Sequence, residues 1–117
     1  MLLAKDPQNT DKYYWTDHAK AKLKQYGLSA SRVTRIMRYP ERIEEAIVAD
    51  CFAAMQTVGN KNKNEIWIMW QNIIKDKKLL SAKKKIISAW RYPGITQPGK
   101  QIPFPADTLE ELQTLIK

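Results

Sequence analysis

The chain has 117 residues, 44% hydrophobic and 27% charged, with 20 Lys and Arg against 12 Asp and Glu for a net charge of +8. That size and composition predict a single domain with a core of its own, and exclude both global disorder and a disulfide-stapled miniprotein. One cysteine and one histidine exclude zinc-finger ligand sets and an internal disulfide, and the four scattered glycines form no phosphate-binding loop or dinucleotide fingerprint. No cofactor and no metal is therefore expected.

The longest uncharged run, Cys51 to Asn60, is half of what a membrane-spanning helix needs. The opening Met-Leu-Leu-Ala-Lys-Asp-Pro lacks the basic-then-apolar layout of a signal peptide, so the expected address is the cytoplasm, with no membrane partner. The positive charge is uneven. Residues 1–60 hold nine basic and seven acidic groups, residues 61–91 hold nine and two, and residues 92–117 hold two and three. The stretch from Lys61 to Arg91 thus carries most of the surplus. A local basic surface favours a polyanion such as RNA, DNA or acidic lipid; the plain alternative is a pair of solvated lysine-rich turns.

In chain order, Tyr13-Tyr14-Trp15-Thr16 has strand propensity and leads into a helix. Thr16 or Asp17 is its N-cap, His18 to Tyr26 its body, and Gly27 its left-handed C-terminal cap. Ser29 or Ser31 caps a second helix, in which Val33, Ile36 and Met37 form the apolar side and Arg32, Arg35, Arg38 and the following Arg42 form the solvated side, with direct phosphate binding as their less favoured role. Pro40 ends it and pushes Tyr39 out of helical conformation. A strand is expected over Ile43 to Asp50, continued or followed by Phe52 to Val58. A polar turn over residues 59–64 then leads into a strand from Glu65 to Ile74. Ile66, Ile68 and Trp70 alternate there with Trp67, Met69 and Gln71, so both faces are apolar and the strand belongs at the centre of a sheet.

A turn at Lys75 to Lys78 and a last strand from Lys85 to Arg91 complete the meander. Pro93 to Pro105 holds four prolines and two glycines, which predicts an extended arm. Asp107 with Glu110, or Thr108 with Glu111, has capping-box spacing, and Leu109, Leu112, Leu115 and Ile116 give the terminal helix an apolar stripe. The expected organisation is a core over residues 13–91, an arm over 92–106 and a C-terminal helix over 107–117. The fold class is α+β, with two N-terminal helices on one face of an antiparallel meander and the other face partly open, a surface suited to single-stranded RNA.

The run Trp15-Thr16-Asp17-His18-Ala19, then Lys22-Leu23, Tyr26-Gly27-Leu28-Ser29, Val33 and Tyr39-Pro40-Glu41-Arg42-Ile43 resembles a family of small bacterial and phage-borne domains. That family is similar in layout to the BrnT and RelE ribonuclease toxins. Ile86-Ile87-Ser88-Ala89-Trp90-Arg91 also resembles the last strand of BrnT-type toxins, with Trp90 inserted before the arginine. The resemblance covers residues 13 to about 91, with Lys22 and Tyr26 standing where the family usually has arginine.

What the resemblance implies is a metal-independent endoribonuclease of a toxin-antitoxin module. Such enzymes position a ribose 2′-hydroxyl for in-line attack, with fixed cations for the phosphate and separate groups to move protons. Arg91 is then the phosphate clamp, with Lys85 on the same strand face, and Tyr92 or His18 transfers protons. Lys77, Lys78, Lys83, Lys84 and Lys22 are the nucleic-acid contacts. The implied partners are RNA or the ribosome and an antitoxin protein, with a homodimer through the C-terminal helix as a further option. The alternative is a non-catalytic RNA- or protein-binding module of the same fold. For His18 a structural anchor is the competing role, for Cys51 a buried apolar one, and for Trp15, Trp67, Trp70 and Trp90 a place in the core, with Trp70 or Trp90 as candidates for base stacking.

Overall fold

The computed structural model describes residues 7–46, 48–73, 83–99 and 101–115. Tyr13–Trp15 forms the short strand β1, and Thr16 turns the chain into α1 (Asp17–Tyr26). Thr16 does two jobs. Its Oγ1 accepts the Ala19 N–H at 3.0 Å as an N-cap, and its hydroxyl donates to the Ile86 carbonyl at 2.9 Å, tying the start of α1 to the sheet. Gly27 closes α1 in left-handed conformation at φ 63°. A Cβ there would meet nothing within 4 Å, so it is the backbone angle that favours glycine. Ser29 then caps α2 (Ala30–Arg38) by accepting the Arg32 N–H at 3.1 Å.

Four more strands follow: β2 (Arg42–Glu45), β3 (Cys51–Val58), β4 (Asn64–Ile73) and β5 (Lys83–Tyr92), and the chain ends in α3 (Ala106–Gln113). The strand expected to run from Ile43 to Asp50 stops at Glu45. The chain reverses before Cys51, with Asp50 at φ 63°, and Ala46 N–H closes the hairpin on the Cys51 carbonyl. The polar turn at 59–63 forms as expected. Gly59 is required there, because a Cβ would lie 2.6 Å from the Asn62 carbonyl oxygen and φ is 94°.

The sheet order is β1-β5-β4-β3-β2. Strands β2 to β5 form the expected antiparallel meander, but β1 joins β5 in parallel, so the sheet is mixed. Parallel pairing is open to β1 because both helices and three strands lie between it and β5. The most apolar strand, β4, is central, with Ile66, Ile68 and Trp70 on one face and Trp67 and Met69 on the other.

The first face is covered by α1 and α2. Ala19, Leu23, Val33 and Ile36 pack there with Ala54, Ile66, Ile68 and Ile86. The second face is not open as the sequence suggested. The Pro-rich arm and α3 fold back as a strap, placing Ile102 and Leu112 over Met55, Trp67, Met69, Ile87 and Trp90. Trp67 and Trp90 stack at 6.1 Å with planes 5° apart, and Phe104 lies 5.8 Å from Trp90. A face this apolar costs free energy in water, and the arm supplies the missing cover.

Helix α3 also starts differently from the capping-box expectation. Pro105 is at its N-cap without a side-chain bond. Asp107 instead meets Lys22 at 2.8 Å, and Thr108 is buried against Ser88, with their hydroxyl oxygens 2.8 Å apart. Thr108 therefore points inward and Leu109 is 40% exposed, while Ile116 lies outside the described residues.

Candidate nucleic-acid interface

A β-bulge decides the fate of the residues proposed for catalysis. Met69 pairs with Ser88 and Trp70 with Ile86, so Ile87 is an extra residue in β5. Paired residues share a face, which places Lys85, opposite Gln71, on the strap face and Arg91, opposite Ile66, on the helical face. Strict alternation puts Lys85 and Arg91 on the same face of the strand. The bulge puts them on opposite sides of the sheet.

Each candidate then has a local setting. Arg91 is half-buried and its Nε donates to the Tyr26 carbonyl at 3.1 Å, finishing the C-terminus of α1. Tyr92 lies on the strap face, half-buried against the tryptophan cluster. His18 sits between α1 and α3, its Nδ1 3.9 Å from Glu111 Oε2, with a side chain 16% exposed. That position suits the structural anchor weighed for it. Lys22, expected to contact RNA, is instead buried. Its Nζ meets Asp107 Oδ2 at 2.8 Å and Gln25 Oε1 at 3.0 Å, and lies 4.9 Å from the Tyr26 ring centroid. An ammonium so enclosed has no open side for a phosphate. The Lys22 contact holds the Asp107 carboxyl below the usual carboxylate range.

The four tryptophans are all core, none more than 5% exposed, so neither Trp70 nor Trp90 presents a ring for stacking. Cys51 is 1% exposed, and burial, with Asp50 adding to it, pushes its thiol up to about 11. It is a protonated, apolar core residue rather than a nucleophile. Lys77 and Lys78 lie outside the described residues. Lys83 and Lys84 are half-buried at the start of β5, between β1 and the end of β4. The turn with Lys61 and Lys63 is at the opposite end of β4, a ten-residue strand, so the basic stretch from Lys61 to Arg91 is split between sites roughly 30 Å apart.

The positive surface that does converge is on α2. Arg32, Arg35 and Arg38 recur every third residue and so occupy an arc of about 120° on the helix, opposite buried Val33 and Ile36. With Ser29, Ser31, Thr34 and Tyr39 they line a shallow open groove of about 530 Å³. All three arginines are exposed, and among the described residues none of their guanidinium groups has a hydrogen-bond or ion-pair partner. The nearby Glu41 is engaged elsewhere, accepting from the Thr57 N–H and hydroxyl at 3.0 and 2.9 Å. Arg42, grouped with these residues in the sequence, belongs to β2. Its guanidinium lies 5.0 Å from the Trp67 ring centroid and donates to Thr96 Oγ1 at 2.8 Å.

The sequence reading assigned the α2 arginines to a solvated surface and missed their groove. The signal was present in the three-residue spacing of arginines opposite an apolar stripe, but the larger lysine count downstream outweighed it. Comparison of the chain with known protein families, with curated proteins and with solved structures finds no match.

Proposed function

We propose that this protein binds RNA through the outer face of α2, as a binding module whose helix-helix-meander order fits a BrnT/RelE-like layout. Three guanidinium groups along one open groove, without partners among the described residues, carry the reading. No internal pair of such an arginine must break before a phosphate is bound, and its planar fork suits phosphate oxygens. The net charge of +8 adds long-range attraction. Cleavage has less support than binding, because Lys85 and Arg91 face opposite ways and His18 is held between two helices.

The test is binding of a fluorescent unstructured RNA oligonucleotide, followed by anisotropy across a salt series. If the three arginines each neutralise a phosphate, the Arg32→Gln/Arg35→Gln/Arg38→Gln variant lowers the salt slope by about 2 and weakens binding at low salt at least tenfold. Lys83→Gln/Lys84→Gln/Lys85→Gln should change binding less. Equal binding by the arginine variant and the parent sinks the proposal. Growth arrest on expression that Arg91→Ala relieves would replace binding with cleavage.

A further inference from the structure

Resting on that reading of the groove, we infer that it selects single-stranded over double-stranded RNA, with Tyr39 as the residue on which an unpaired base stacks. Tyr39 is 66% exposed, the most exposed of the large hydrophobic side chains among the described residues. A single exposed aromatic means little by itself. This one is fixed at the end of the arginine row and lines the same groove.

Its backbone is held from both sides. The Tyr39 N–H donates to the Arg35 carbonyl at 2.9 Å, and its own carbonyl accepts from Gln56 Nε2 at 2.7 Å. Pro40 follows, restricting Tyr39 to a non-helical conformation, observed at φ −130° and ψ 62°. The Cα–Cβ bond is thus presented from a rigid support at the helix end, and the ring has only two side-chain torsions left to order on a ligand. Gln56 is three residues before Gly59, so the turn carrying Lys61 and Lys63 follows the same end of β3.

Cations in a row with an aromatic ring among them match what an unpaired strand offers: phosphates along one side and open base faces along the other. A duplex offers the phosphates but hides its base faces within the stack. The arginines alone would accept either form. Tyr39 adds stabilisation only for the unpaired one.

The experiment compares unstructured RNA with a perfect RNA duplex of the same length, on the parent protein, Tyr39→Ala, Tyr39→Phe and the triple arginine-to-glutamine variant. The expected result is a preference of the parent for the single strand, a loss of about tenfold in Tyr39→Ala for the single strand only, and recovery in Tyr39→Phe. Circular dichroism should show all variants folded, since the altered side chains are exposed. Parent binding that favours the duplex, no loss in Tyr39→Ala, or a Tyr39→Phe as weak as Tyr39→Ala overturns the inference. If only the arginine variant loses binding, the groove reading survives without the stacking residue. If the arginine variant binds as the parent does, the groove reading itself fails.

Discussion

On the helical face of the sheet, two regular helices cover a cluster of aliphatic side chains with Trp15 and Trp70; on the strap face, irregular chain and one short helix lie over Trp67 and Trp90 and are held through a buried carboxylate. The interior of a helix satisfies its own backbone, so its middle can meet the sheet through apolar side chains alone, as at Val33, Ile36, Ile66 and Ile68, with polar ties at the two ends of α1, from Thr16 to the Ile86 carbonyl and from Arg91 to the Tyr26 carbonyl. The arm has no such internal bonding, and its polar groups need partners in the sheet. Glu65 provides them. This carboxylate is 1% exposed and accepts from Trp67 Nε1 at 2.9 Å, from the Thr96 N–H at 3.0 Å and from the Thr96 hydroxyl at 2.7 Å. The difference teaches that a Pro-rich segment can close a core when the surface beneath it carries buried acceptors and donors at fixed places.

The comparison breaks most readily at Trp90. If the strap face is core of the same quality as the helical face, Trp90→Ala destabilises by about 4 kcal/mol in denaturant unfolding, because it removes a ring packed between Trp67 and Phe104. A cost below about 1 kcal/mol would show that the strap only rests on the sheet. Next in size is Glu65→Ala, expected to cost about 3 kcal/mol by leaving the Trp67 and Thr96 donors without an acceptor. Glu65→Gln keeps one acceptor oxygen and should recover part of that loss. No difference between the two variants would mean that the carboxylate is not an anchor.

The smallest effect is a pH dependence at the contact between α1 and α3. Lys22 lowers the folded-state pKa of Asp107, so this contribution is fully present above the ordinary carboxylate pKa and is lost as pH falls through the folded value. Unfolding followed from neutral to acid pH should therefore show a shallower acid-side decline in Asp107→Asn than in the parent. Because Asp107 is 48% exposed, solvent screening keeps the difference small. Identical pH profiles would remove the ion pair from among the strap's anchors.

Much of the helical half was legible because its determinants are local. Thr16, Gly27, Ser29 and Pro40 set the ends of α1 and α2 through bonds and angles within a few residues. The two-sided apolar pattern of β4 likewise placed it at the sheet centre. Legibility failed where one residue changed a register. The extra residue at Ile87 reverses the face of everything on one side of it, and nothing in the alternation of Lys85 to Arg91 marks that point. It also failed for Lys22, whose burial depends on Asp107, 85 positions away.

The sequence by itself determined the α+β class, the caps of α1 and α2, the central strand and an excess of positive charge, all of which follow from composition and short-range geometry. Only the tertiary structure decided where that charge is usable. It placed the lysine-rich ends of β4 and β5 far apart, enclosed Lys22, turned Arg91 to the end of α1, and left the guanidinium groups of Arg32, Arg35 and Arg38 in one groove without partners among the described residues. Whether a cation is available depends on what the fold brings against it, and that is a property of long-range packing rather than of any segment of the chain.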